Sequence, residues 1–173
     1  IHVLECGDRN LLLFKFKVQL ARAGVTCINF IPGERPCALV STSDSHVTII
    51  ECVYQEQLLI NLSVRMRLDV QHSLLPIKNG FSPSGSGFLI SGSEDKRVHV
   101  WTLDEAGRYA KSHLSHHDVP VVCVATNQMD TIIASADSLG KVVIWWRLQF
   151  DHLVAEASAE TPSAASAAFS LIA

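Results

Sequence analysis

The sequence has no CxxC pair, and its five cysteines (Cys6, Cys27, Cys37, Cys52 and Cys123) are odd in number. A disulfide framework and the usual zinc spacings are therefore excluded as organising principles. Most of these cysteines sit in apolar runs such as Val25-Thr26-Cys27-Ile28, which reads as buried free thiols. No apolar run reaches the roughly 18 residues of a membrane span, because Arg65, Arg67 and Asp130 interrupt the greasiest regions. Charge of one sign is lacking too. Lys and Arg number 14 against 17 Asp and Glu, a net charge of -3, so the basic surface that nucleic acid needs is not expected. There is no G-x-S-x-G elbow, no G-x-x-x-x-G-K-[ST] and no G-x-G-x-x-G; Gly140-Lys141 leads into Val142. The sequence-local signatures of serine hydrolysis, mononucleotide binding and dinucleotide binding are thus missing. No signal-peptide pattern opens the chain and its first residue is Ile1. The opening reads like the middle of a protein, so we expect further units upstream.

What is present is a repeat. The chain has 173 residues, 48% hydrophobic and 18% charged, enough for a real core. From Phe81 to Trp101 it runs FSPSGSGFLISGSEDKRVHVW. A turn at Ser82-Pro83-Ser84-Gly85 precedes a short apolar strand, Phe88-Leu89-Ile90. A polar turn from Ser91 to Lys96 then leads into Val98-His99-Val100-Trp101, which is a hairpin signal. Aligning on that second strand recovers four copies, closing at Phe14, Ile50, Trp101 and Trp145. They are separated by 36, 51 and 44 residues, which brackets the roughly 40–45 residue period of a propeller blade.

Apolar strands precede three of the hairpins, at Val25–Phe30, Pro76–Phe81 and Val121–Ala125. Between the second and third units, Leu58, Ile60, Leu62, Val64, Met66 and Leu68 alternate with mostly polar residues. A period of two predicts one long, half-solvated outer strand and excludes an amphipathic helix. The expected fold is all-β: a partial propeller of about four blades, with N-terminal blades missing and a disordered C-terminal tail. The propeller part covers 1–154, in units of approximately 1–20, 21–70, 71–113 and 114–154. The Ala/Ser-rich stretch 155–173 is the tail, and Arg147–Val154 is a candidate last outer strand.

Residues 1–150 resemble WD repeats, most closely in the third unit with its FSPSG, GSED turn and terminal Trp101. In that family a His, a strand Ser or Thr, a turn Asp and the Trp form one hydrogen-bonded set. Carried over by position, the resemblance implies His72, Ser91, Asp95 and Trp101 in the third unit. It implies His117, Ser135 and Trp145 in the fourth, where Leu139 takes the acid's place and Asp137 lies two residues earlier. The second unit has Ala21, Val40, Asp44 and Ile50 at the four places, and the first keeps only Asp8. The literal Trp-Asp dipeptide is absent.

His113, His116, His117 and Asp118 could suggest a metal, but no partner group supplies the remaining ligands at suitable spacing. His117 is instead expected in the structural set and His116 in an exposed loop. Asp95 reads as a turn acceptor rather than a catalytic acid. No catalytic residue, cofactor, metal or small-molecule substrate is expected. What remains is binding of other proteins through loops on a ring face, with Glu94, Lys96, Arg97, His116 and Lys141 as candidate contacts. The resemblance implies a non-catalytic scaffold, nuclear rather than cytoplasmic. VTCINFIPGE and STSDS also resemble Rab-binding WD-repeat proteins of membrane traffic, which gives a small-GTPase effector as the alternative. A propeller hydrolase with its motifs upstream is the second alternative.

Overall fold

The computed structural model describes residues 1–6, 12–19, 22–31, 37–56, 58–83, 87–103, 109–147 and 169–171. Among them no residue is helical. Strands β1 (His2–Cys6) and β2 (Leu12–Lys17) form a two-stranded sheet. Three four-stranded antiparallel sheets follow, each laid down in chain order. The second blade is β3 (Val25–Ile31), β4 (Cys37–Thr42), β5 (His46–Gln55) and β6 (Leu58–Asp69). The third is β7 (Asn79–Phe81), β8 (Phe88–Ser91), β9 (Arg97–Leu103) and β10 (Tyr109–Ser115). The fourth is β11 (Val121–Thr126), β12 (Ile132–Asp137), β13 (Val142–Arg147) and β14 (Phe169–Leu171).

The core lies between these sheets. Because side chains alternate along a strand, each blade sends one set backwards and one set forwards. Ala38, Val40 and Ile50 meet Ile1, Val18 and Leu62 at the first junction. Leu39, Val47, Ile49 and Leu68 meet Leu89 and Trp101 at the second. Phe88, Ile90, Val98 and Val100 meet Val121, Ile133, Val143 and Trp145 at the third. Each such side chain contributes about 1.5–3 kcal/mol when fully buried, so a blade is stable only beside its neighbours. The third junction is tight: a Cβ on Gly92 would lie 2.3 Å from the Val121 carbonyl oxygen, so only glycine fits. On the far side of the fourth blade, Ile132, Val142, Ile144 and Trp146 face solvent. They hold the register positions that the third blade fills with Phe88, Val98, Val100 and Thr102.

Three features depart from the sequence reading. The long strand β6 is outermost, as its alternation predicts, but its apolar residues do not share one face. Its pairing with β5 shifts between Ile49 and Ile50, where Arg65 is the extra residue. Such a bulge moves every later side chain to the opposite face. Leu62 therefore packs toward the first junction, while Met66 and Leu68 pack toward the second. The first strand of the third blade is short. Pro76 has no N–H, the Ile77 N–H turns back to the Leu75 carbonyl, and the Lys78 N–H goes to Val122 of the next blade. Last, Phe169–Leu171 lies within the stretch read as a tail, yet it pairs with β13 as the fourth blade's outer strand. The rest of 155–173, residues 148–154 of the expected outer strand, and Asp8 and Ala21 lie outside the described residues.

Candidate functional site

Antiparallel order places the turn between the second and third strands of each blade, and the connection to the next blade, on one ring face. Three equivalent turns there each use one left-handed residue: Ser45 (φ 68°), Lys96 (φ 70°) and Gly140 (φ 88°). Only the last is the residue type that adopts this conformation without steric cost.

Beneath this face the fourth blade carries a closed polar set. The Trp145 indole N–H donates to Ser135 Oγ at 2.8 Å. Ser135 Oγ lies 2.8 Å from His117 Nε2, and His117 Nδ1 lies 2.9 Å from Asp137 Oδ2. The chemistry of the ends fixes the protons. Indole only donates and an ionised carboxylate only accepts, so in the neutral imidazole Nδ1 carries the proton and the Ser135 hydroxyl donates to Nε2. Asp137 also accepts the N–H groups of Leu139 and Lys141, each at 3.0 Å. The bond from His117, helped by these amides, holds the Asp137 carboxyl below the usual range. Ser–His–Asp order resembles a nucleophile, but Ser135 is 1% exposed and its oxygen is engaged on both sides. The arrangement fixes strand register and offers no attacking group.

The third blade does not assemble its four residues. Asp95 takes His99 Nε2 at 2.9 Å instead of His72. Burial alone would raise the Asp95 carboxyl, but its bonds with Ser93, His99 and Arg97 prevail and lower it. Ser91 Oγ donates to the Gly92 carbonyl at 2.8 Å. His72, fully buried, accepts the Ile77 N–H at 3.3 Å and lies 3.3 Å from Thr26 Oγ1 of the second blade. Burial pushes its imidazole down and so favours the neutral form. Trp101 packs in the second junction, stacked on His99 at 5.8 Å with the Lys111 ammonium 5.6 Å from its ring. The physical cause is positional. Ser93 occupies the place of Asp137, and His99 occupies that of Val143, so the acid two residues later meets His99 first.

The candidate contact residues divide into two kinds. Glu94 is not a free loop tip. Its Oε1 accepts the N–H groups of Ser73, Leu74 and Leu75 at 2.9, 2.6 and 2.9 Å, and its Oε2 accepts the Ser73 hydroxyl at 3.0 Å. Partial burial opposes its ionisation, but these four donors together hold the carboxyl at about 2. Lys96 and Arg97 are exposed. Lys141 is exposed as well, with its ammonium 2.9 Å from the His116 carbonyl and 3.4 Å from Asp118. His116 is an exposed loop residue whose ring meets Trp145 edge-on at 6.4 Å. His113 lies not in that loop but in β10, opposite His99. Of the four cysteines whose side chains are described, Cys37 is a buried free thiol and Cys27, Cys52 and Cys123 are half-buried ones.

Sequence reasoning missed His99, whose signal was a polar residue in the otherwise apolar VHVW strand. It also missed the seam between the second and third blades. There Asn29 donates to Asn79 Oδ1 at 2.8 Å, and Asn79 donates to Ser41 Oγ at 2.7 Å.

Small antiparallel sheets packed side by side, each burying its faces against its neighbours, define the fold of a partial β-propeller. Residues 74–102 and 109–145, the third and fourth blades, match the WD domain, G-beta repeat family. The chain is 29% identical over 150 residues to WD repeat and SOCS box-containing protein 1 of Xenopus tropicalis, covering 84% of this chain and 33% of that protein. Its human counterpart is 27% identical over 149 residues, covering 83% and 33%. WD repeat-containing protein 82 of Drosophila melanogaster is 40% identical over 62 residues, covering 36% and 19%. The chain therefore spans about a third of the length of the SOCS box relatives. Over these spans the chain is similar to WD-repeat proteins.

Proposed function

We propose that the chain is a non-catalytic WD-repeat scaffold that binds other proteins through the ring face bearing the turns at 43–46, 93–97 and 138–141. One observation carries this reading. The strands spend their apolar side chains on one another at three junctions, while these turns are held in place by hydrogen bonds and leave Lys96, Arg97 and Lys141 exposed. A rigid frame that presents exposed loops is an arrangement suited to binding. The SGSEDKRVHVW and ASADSLGKVVIWWR segments resemble the C-terminal end of WD repeat-containing protein thirteen, which motivates a nuclear location. Imaging of the tagged chain tests that location, and exclusion from the nucleus would remove it. The Rab-effector alternative rests on VTCINFIPGE, whose Val25–Ile31 part is the innermost strand β3. No observation favours it or the hydrolase.

The test is affinity capture with the wild-type chain and a Lys96→Glu/Arg97→Glu variant. Partners held by the wild type should be lost from the variant while its circular dichroism is unchanged. Retention of every partner by the variant would refute this surface.

A further inference from the structure

Among the described residues, Leu74 at 87% and Leu139 at 81% are the most exposed large hydrophobic side chains. An exposed leucine is ordinary in itself. The backbone beneath these two is not. Leu74 donates its N–H to Glu94 Oε1, which also holds the N–H groups of Ser73 and Leu75. Leu139 donates its N–H to Asp137 Oδ1, which also holds that of Lys141. The backbone of each leucine is thus held by a carboxylate, and its side chain is left in solvent. A pinned loop loses less freedom on meeting a partner, so its apolar contact is worth more.

The same rim carries cations. Lys96 occupies in the third blade the place of Gly140 in the fourth, so a charged side chain stands where the backbone prefers glycine. Arg97 follows it, and neither has an ion-pair partner among the described residues. The two acids of that turn are engaged elsewhere: Glu94 accepts backbone amides of the 73–75 loop, and Asp95 takes the Arg97 N–H and His99.

From this juxtaposition we infer that the rim docks an acidic protein segment bearing aliphatic side chains. The aliphatic group covers Leu74, and the carboxylates reach Lys96 and Arg97. One blade along, Leu139 repeats the exposed leucine, while the Lys141 ammonium beside it already lies 3.4 Å from Asp118. Glu94 is a positioning residue for this surface. The inference rests on the scaffold reading above and adds the partner's chemistry.

The test uses fluorescence anisotropy on the full chain. The probe is a labelled peptide of Glu-Glu-Leu repeats, with Glu-Glu-Ser and Lys-Lys-Leu repeats of equal length as controls. The Leu-bearing acidic peptide should bind at least about tenfold more tightly than either control, with affinity falling as salt rises. Leu74→Asp and Lys96→Glu/Arg97→Glu should each lose about tenfold, and Glu94→Gln should weaken binding severalfold without changing circular dichroism. Leu74 is solvent-facing, so its variant keeps the fold. Equal binding of the Ser control, or full affinity in Leu74→Asp, would overturn the inference. Full affinity in Glu94→Gln would remove the positioning role. If Leu74→Asp keeps its affinity while Lys96→Glu/Arg97→Glu still loses captured partners, the inference fails and the scaffold stands. If the charge reversal also keeps every partner, both fail.

Discussion

The third and fourth blades hold nearly the same residues and lock them differently. Both place a His before the first strand, a Ser in the second and a Trp in the third. In the fourth blade the acid ends the second strand, and Asp137 reaches His117 directly. In the third that place holds Ser93, the acid sits in the turn, and His99 takes it. His72 is then left to face Thr26, and so the third blade's histidine ties two blades together instead of closing a set within one. The lesson is one of position. The blade with the fuller motif has the open set, because a single neighbouring side chain and a two-residue offset decide which atoms meet.

The sharpest way to break this comparison is to remove each tryptophan. Trp101→Ala should cost about 3–5 kcal/mol, as both rings fill blade junctions. Trp145→Ala should cost more, because it also leaves Ser135 without its donor, a further loss of about 1 kcal/mol. Urea unfolding of the two variants measures the difference. An equal cost, or a larger one for Trp101, would mean that the fourth blade's network adds nothing. The serines give a smaller and more specific contrast. Ser135→Ala strands both His117 and the Trp145 N–H in the interior and should cost about 1–3 kcal/mol. Ser91→Ala removes only a bond to the adjoining carbonyl and should cost about 0.5–1 kcal/mol.

The fold was legible because blades repeat turn chemistry and alternation locally. What escaped depends on register between strands. The bulge at Arg65 changes no composition; it is defined only against Ile49 and Ile50 on the partner strand. The strand Phe169–Leu171 is three residues in an Ala/Ser-rich stretch, and only pairing with β13 reveals it. The site was legible as residue types and much less as pairs. His117, Ser135 and Trp145 meet, with Asp137 as the acid rather than the position of Leu139. Glu94 looked like an ordinary charged loop tip, since nothing local shows that three amides of a distant loop converge on it.

Acid separates the two blades by the smallest margin. The Glu94 carboxyl lies at about 2 in the folded chain, against 4.5 ordinarily. A depressed carboxyl stabilises the fold fully above its unfolded value, and that contribution is lost as pH falls from 4.5 toward 2. Asp95 in the third blade and Asp137 in the fourth are lowered as well and act in the same direction. Glu94→Gln should therefore be less stable than wild type at neutral pH, and the gap should close as pH drops through that window. Asp137→Asn should close its own gap below the ordinary aspartate value of 3.8. Thermal unfolding at stepped pH measures both. A Glu94→Gln gap that stays constant down to about pH 2 would mean that the loop is held without the carboxylate's charge. The third blade's rim would then owe its geometry to the chain around it.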